Sequence, residues 1–395
     1  MVTYSLYPFD PRPRRAIDAL VREGATIDLI CLGDASAPKR EALNGIEVFR
    51  VQLKHERGGK IGYAYRYAAF ILISSLIFAR RCLARRYDLI YVHNMPDILV
   101  LSALLPKLLG AKVVLDLHDP MPELMMTIFE VPQSSRSVRV LRRLEKWSIA
   151  RADLVVTVSS TFKRIFCSRS CEPGKMAVVM NAPDGSIFPF RKARPDAMTK
   201  QAGDKPFVIV YHGSLVERNG LDVAIDALER VRRCIPTAEL RVFGARTPFL
   251  DRMMEAARSK NLQEAVHYFG PKRLEDLVNE IEECDLGVIP NQKNAFTAIN
   301  TPTRIFEYLA LGKPVIAPAT QGVQDYFSDD SLLFFEPGDP DDLARQIEYA
   351  FSHPREVFEL VKKGQEVYLE HTWDQESATL ISRVSEILNA AQVAR

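Results

Sequence analysis

The sequence predicts an α/β fold: two doubly wound domains in tandem, each on a parallel sheet, with a cleft between them. Three observations carry this expectation. Short apolar runs alternate with amphipathic stretches along the chain, and a segment rich in proline, glycine and charge interrupts them near the middle. The length of 395 residues also exceeds what one hydrophobic core usually supports.

The opening "MVTYS" reads as a strand, and apolar runs follow at 25–33, 46–53, 88–94, 112–119, 153–159 and 176–181. Such runs suit parallel strands buried on both faces. Helical patterns lie between them, for example over 12–23, 97–109 and 137–151. The first domain therefore covers 1–185, and 186–206 forms a linker. The alternation restarts at 207–213 and continues through 239–244, 266–270, 286–290, 314–318 and 332–339, making a second domain over 207–371. The helix over 340–352 begins among aspartates, which favour a helix amino terminus. A last helix within 372–395 is expected to pack back on the first domain. There is no solenoid repeat and no low-complexity segment.

Composition excludes several classes. A hydrophobic share of 47% and a charged share of 26% suit a soluble globular protein. Net charge is only +2, which argues neither for nor against a nucleic-acid partner and makes any basic surface local; no nucleic acid is among the expected partners. The cysteines are scattered; Cys167 and Cys171 are close but have no partners at metal spacing, which points to reduced thiols. The start lacks a basic-then-apolar signal, and its first strand begins at once as though clipped. A cytoplasmic location follows as the expectation. The segment Tyr65–Arg86 is the one membrane candidate, but its uncharged run from Tyr67 to Ala79 falls short of the roughly 20 residues that span a bilayer. It reads either as a core-facing helix with a solvated basic end or as an interfacial helix drawn to anionic lipid. Both hold if one face packs inward while the arginines face a membrane.

Dinucleotide and P-loop glycine motifs, H-E-x-x-H, C-x-x-C and G-x-S-x-G are all absent. What remains are loops at strand ends, where open α/β sheets bind ligands. In "YHGSLVERNGLDVAIDAL" (211–228), Gly213 lets backbone amides approach a ligand, Arg218 can meet an anion, and a helix amino terminus follows. In "INTPTRIFEYLALGKPVIAP" (299–318), Thr301 reads as an N-cap, Pro302 as the first helical residue and Gly312 as the stop. The amides of Thr301–Thr303 and the side chain of Arg304 can receive a diphosphate. Glu307 sits in the midst of apolar residues. A weak ion pair with Arg304 is one use for it; accepting both hydroxyls of a ribose is a better one. In "LDLHDPMPELMM" (115–126), His118, Asp119 and Glu123 are either structural or orient the hydroxyls of a sugar or acceptor.

These stretches, with "FGPKRLEDLVNEIEECDLGVIP" and "FFEPGDPDDLARQI", resemble the carboxyl half of family 4 glycosyltransferases. "YPFDPRPRRAIDALVREG", "YDLIYVHNMPDILV", "LDLHDPMPEL" and "RADLVVTVSS" resemble that family's amino domain, so the likeness covers nearly the whole chain. It implies a GT-B fold of two Rossmann-like domains, a nucleoside-diphosphate sugar bound mainly by the second, and an acceptor bound mainly by the first. It also implies retention of anomeric configuration and no obligatory metal or other cofactor. Glu307 matches the second glutamate of an E-x7-E motif, the ribose holder, while the first falls at Ile299 and the glycines after it at Asn300 and Pro302. Gly213 and Arg218 match the diphosphate loop, whose usual basic positions read Ser214 and Asn219. Gly244, Gly270, Lys272, Asn300, Thr301, Thr303 and Arg304 complete the donor side. The catalytic set implied is His118, Arg218 and Glu307, and Asp10, Arg12, Asn94, Asp119 and Glu123 are expected to meet the acceptor. The acceptor loop reads "DPRPRR", with Pro13 inside it. A hexosyl transfer in surface polysaccharide or glycolipid assembly, to a lipid-linked glycan at the inner membrane face, is the expectation. A nucleotide-sugar epimerase of similar fold and a non-catalytic nucleotide-sugar-binding subunit stand as alternatives.

Overall fold

The computed structural model describes residues 1–34, 37–53, 60–195 and 205–393, which divide into an amino unit, Met1–Asn181 with the segment from Asp374, and a carboxyl unit, Ala182–Trp373. Both are α/β, as expected from the sequence.

The amino unit's strands are β1 (Val2–Leu6), β2 (Asp28–Gly33), β3 (Arg40–Leu43), β4 (Ile46–Gln52), β5 (Leu89–His93), β6 (Lys112–Leu117), β7 (Leu154–Thr157) and β8 (Met176–Val178). They form one sheet in the order β3-β4-β2-β1-β5-β6-β7-β8, parallel except for β3 on β4. β2 and β7 are buried along their whole length, which is why they read as continuous apolar runs. β3 has alternating exposure, reads "REAL" and is absent from the sequence expectation. The stretch 97–109, expected as one helix, is a 3-10 helix Asp97–Ala103 followed by an α-helix Leu104–Leu108.

The helix Lys60–Ala84 is longer than its uncharged run suggests, and its Ala64–Ala84 part is long and apolar enough to cross a membrane by length and composition. One face nevertheless packs inward: Phe70, Ser74 and Phe78 are buried, and Tyr4 of β1 meets the Phe70 ring edge-on at 5.1 Å. The carboxylate of Asp28 on β2 anchors the far end, accepting from Arg81 at 2.9 Å and from the Tyr87 hydroxyl at 2.5 Å. Tyr65, Leu72, Leu76 and Leu83 on the helix are exposed. The last helix, Trp373–Val393, joins the amino unit through Glu376, which accepts from Met180 N at 2.7 Å.

In the carboxyl unit β9 (Phe207–His212), β10 (Ala238–Phe243), β11 (Val266–Gly270), β12 (Leu286–Val288), β13 (Val315–Pro318) and β14 (Leu333–Phe335) make a parallel sheet in the order β11-β10-β9-β12-β13-β14. This is the doubly wound order, reversing between β9 and β12. In the described part of the expected linker, residues are bound to this unit. Arg191 N donates to Ala310 O at 2.7 Å and Gln365 Oε1 accepts from Ala193 N at 2.9 Å; residues 196–204 lie outside the described ones.

Candidate functional site

A crevice outside the carboxyl ends of β9 and β12 is where a doubly wound sheet receives its ligand. β9 ends at His212, and Gly213 turns away with φ +123°, a conformation that side chains resist. Arg304, on the helix Thr303–Ala310, runs beneath it: a β-carbon on Gly213 would stand 3.4 Å from the guanidinium. Arg304 Nη1 donates to His212 O at 2.5 Å, and its Cζ lies 5.3 Å from the Tyr211 ring centre. One turn further, Glu307 Oε2 comes within 3.4 Å of His212 Nε2, and its side chain is 13% exposed. Burial first, and then the charge of Arg304, push the His212 imidazolium down to about 3. The ring is therefore neutral near pH 7 and does not neutralise Glu307, and its buried Nε2 has no hydrogen-bond partner. The site thus gathers a fixed arginine, a carboxylate and a neutral imidazole.

The first turn of this helix corrects the sequence expectation. Pro302, not Thr301, occupies the cap position and supplies no side-chain hydrogen bond. The Thr301 hydroxyl instead donates to Gly322 O at 2.7 Å. The amides from Thr303 onward thus have no side-chain cap, the condition under which a helix start accepts an anion. Asn300 Oδ1 beside it is buried without a hydrogen-bond partner. Gly312 does end the helix, with φ +70°.

The other donor-side residues divide. Gly213, Gly244 and Gly270 line up at the ends of three adjacent strands, with Gly244 N donating to Gly270 O at 3.0 Å. A β-carbon on Gly244 would meet Gly213 O at 2.2 Å, so only glycine fits. Ser214 O accepts from Asn219 Nδ2 at 2.8 Å, making Asn219 a brace within the loop. Arg218 O accepts from Gln292 N at 3.0 Å, tying the loop to the chain beyond β12. Lys272 is paired with Glu280, and its ammonium lies 5.4 Å from the ring centre of Phe243, the last residue of β10.

The amino unit has a second cluster where β5 and β6 end. Asp116 on β6 is fully buried and takes Arg12 in a bidentate grip, Nε to Oδ2 at 3.0 Å and Nη2 to Oδ1 at 2.8 Å. Burial alone would raise that carboxyl; Arg12 and His93 outweigh it and hold it well below the usual range. Arg12 Nη1 donates to Val179 O at 2.8 Å and to Asn181 Oδ1 at 3.1 Å. Asn94 clamps the next loop: its Oδ1 accepts from His118 N at 3.0 Å and its Nδ2 donates to Asp119 O at 2.8 Å. His118 is pushed down to about 4, by burial above all, and its Nδ1 has no hydrogen-bond partner.

Three of the residues expected to meet the acceptor have partners within the unit. Arg12 spends its guanidinium on internal acceptors, Asp10 caps a helix by accepting from Arg12 N at 3.1 Å, and Glu123 is paired with Arg169 at 2.6 Å. His118, Asn94 and Asp119 stay together. His93, Asp116 and His118 offer ligand atoms within 4.8 Å of one another, but a cation there would sit beside the guanidinium already holding Asp116. That donor set suits an ion pair better than a metal. The sequence reading missed His212, His93 and Asp116 as site residues; the two histidines close apolar strands and Asp116 stands one place before the end of β6, so position near a strand end was their signal.

Two family models match, "Glycosyl transferase 4-like domain" over residues 11–182 and "Glycosyl transferases group 1" over 194–367. Among curated proteins, a probable glycosyltransferase WbjE of Pseudomonas aeruginosa is 23% identical over 67% of this chain and 66% of its own length. A phosphatidylinositol N-acetylglucosaminyltransferase subunit of Arabidopsis thaliana is 27% identical over 56% of this chain and 48% of its own. The chain thus spans about half to two thirds of these relatives. Among solved structures, sucrose-phosphate synthase of Thermosynechococcus elongatus superposes with a TM-score of 0.75 at 19% identity, covering 96% of this chain and 93% of that one. HepE of Anabaena, solved with UDP, gives 0.69 at 17% identity, covering 98% of each.

Proposed function

Because this chain is a glycosyltransferase of the GT4-like type with the GT-B fold, we propose that it moves a hexosyl group from a nucleoside-diphosphate sugar to an acceptor hydroxyl with retention of anomeric configuration. The observation that carries this is the arrangement at the end of β9: an uncapped helix start, Arg304 beneath Gly213, and Glu307 one turn on. The helix amides and Arg304 would bear the charge that grows on the diphosphate as its bond to the anomeric carbon breaks, usually a large electrostatic contribution. Glu307 would accept from the ribose hydroxyls. The acceptor oxygen then bonds to the anomeric carbon on the face the diphosphate leaves, its proton passing to a diphosphate oxygen. No covalent nucleophile and no obligatory metal enter this scheme. HepE solved with UDP-glucose supports a uridine nucleotide as the first donor to try.

On the acceptor side, neutral His118 would orient a sugar hydroxyl. The exposed apolar face of Lys60–Ala84, with the exposed Arg80 and Arg86, supports a lipid-linked glycan acceptor met at the inner face of a membrane, as in surface polysaccharide or glycolipid assembly. The relative named for phosphatidylinositol favours the same reading.

A thermal-shift series with UDP-, GDP- and ADP-sugars tests the donor site. One of them is expected to raise the melting temperature of the wild type, and Glu307→Ala should remove most of that rise. An equal response in the variant would discard the assignment. Interconversion of free nucleotide sugars without acceptor would favour an epimerase.

A further inference from the structure

We propose that His212 is a positioning residue for the donor: its Nε2–H holds the Glu307 carboxylate in the orientation that receives the ribose hydroxyls. This rests on the ribose reading above, and it gives a task to a buried group that the transfer scheme leaves without one.

Spacings of three and four residues place Arg304, Glu307 and Tyr308 on one face of the helix Thr303–Ala310, and each meets a different part of His212. Arg304 Nη1 donates to its carbonyl oxygen at 2.5 Å. The Tyr308 ring centre lies 5.2 Å from that of the imidazole, tilted by 56°, and Glu307 Oε2 stands 3.4 Å from Nε2. Tyr308 is itself fixed, being fully buried with its hydroxyl donating to Val210 O at 2.8 Å. The sheet holds the backbone as well: His212 is in register with Phe243 of β10, and Gly213 N donates to Phe243 O at 3.0 Å. The imidazole is thus clamped between strand and helix, whereas the glutamate carboxylate can still turn about its side-chain bonds.

Nε2 of His212 is buried without a hydrogen-bond partner, an arrangement that destabilises a fold and calls for a reason. Glu307 Oε2 lies just beyond hydrogen-bond range, and a small rotation of the glutamate brings it in. The neutral ring carries a single N–H. On Nε2 it donates to the carboxylate, whereas a bare Nε2 would set two lone pairs face to face. Bonds of this kind are often long in a free enzyme and tighten when the ligand arrives. With Oε2 so held, the plane of the carboxylate is set, and its remaining lone pairs can accept from two adjacent hydroxyls. A neutral donor does this without cancelling the negative charge, as a lysine or arginine in its place would.

The test measures binding of UDP, GDP and ADP to the full chain by calorimetry near pH 7, each against its 2′,3′-dideoxy form. The base that binds the wild type most tightly is carried forward. The wild type should prefer the hydroxyl-bearing nucleotide, and Glu307→Ala should erase that preference. His212→Phe keeps a ring against Tyr308 but has no N–H. It is expected to weaken the hydroxyl-bearing nucleotide about tenfold and to leave the dideoxy form within about twofold. His212→Gln, whose side-chain amide reaches the place of Nε2, should restore most of the loss. A merely structural histidine would weaken both nucleotides alike, and that result overturns the proposal. So does a preference in His212→Phe equal to that of the wild type, which would leave the ribose reading standing. If the wild type shows no preference, or binds none of the three, the ribose grip of Glu307 fails and the proposal with it. NMR of histidine-labelled wild type asks the same question without relying on a variant that must fold. It should find the Nε2–H tautomer at His212, its proton moving downfield when the nucleotide is added. An Nδ1–H tautomer overturns the proposal.

Discussion

Glu307 stands 3.4 Å from the His212 imidazole. That imidazole is neutral near pH 7 and does not cancel the carboxylate's charge, which suits the carboxylate to accept from hydroxyl donors. Asp97 shows the opposite economy. It is buried, with Asn94 Nδ2 donating to it, and burial pushes its carboxyl up to about 7 from the ordinary 3.8. Because the folded-state value is raised, the folded form favours the proton, and stability falls as pH rises from about 4 through about 7. Asp97→Asn keeps an oxygen for Asn94 and removes the charge. Chemical denaturation should find the variant more stable than the wild type at pH 8, on the order of 2–4 kcal/mol. The difference should vanish near pH 4. A variant less stable at both pH values would mean that the carboxylate has another partner.

Strands and helices follow from the same physics with unequal visibility. The parallel strands could be read from sequence because both faces are buried, leaving apolar runs bounded by polar residues. β3 escaped because it pairs on one side only and carries charged residues on an edge. Thr301 misled because Thr-Pro satisfies the local rule for a helix start, whereas its hydroxyl finds Gly322, 21 positions away. Glu307 was visible as a charge in an apolar helix; His212 was not, since a histidine ending a strand has many uses. The grip of Arg12 on Asp116 spans 104 positions, and no local pattern announces it. That pair joins the first helix of the amino unit to β6. Asp116→Asn would leave a buried guanidinium short of its counter-charge, and urea titration should find a loss of about 3–5 kcal/mol. Replacing both partners, Arg12→Met with Asp116→Leu, should recover much of it. If the double variant is as unstable as the single one, the guanidinium's bonds to Val179 and Asn181 carry the stability instead.

Two sheets of the same winding carry different surfaces, and this argues for a division of labour between the units. The carboxyl unit concentrates positive-φ glycines at three adjacent strand ends and leaves a helix start uncapped, features suited to a diphosphate. The amino unit buries its Arg12 and Asp116 charges against each other and exposes instead an apolar helix with basic residues beyond it. If nucleotide and lipid are served separately, each ligand should quiet its own unit. Hydrogen exchange followed by mass spectrometry can read this directly. UDP is expected to slow exchange over 211–221 and 299–311 and to leave 64–84 unchanged. Vesicles containing phosphatidylglycerol should protect 64–84 and 136–151 while the strand-end glycines exchange as before. Salt should weaken the vesicle effect, because charges on a surface are screened within about 10 Å at 0.1 M ionic strength, while burial of the apolar face persists. UDP protection centred on the end of β5 would assign the nucleotide to the amino unit and reverse the roles argued for Glu307 and His118.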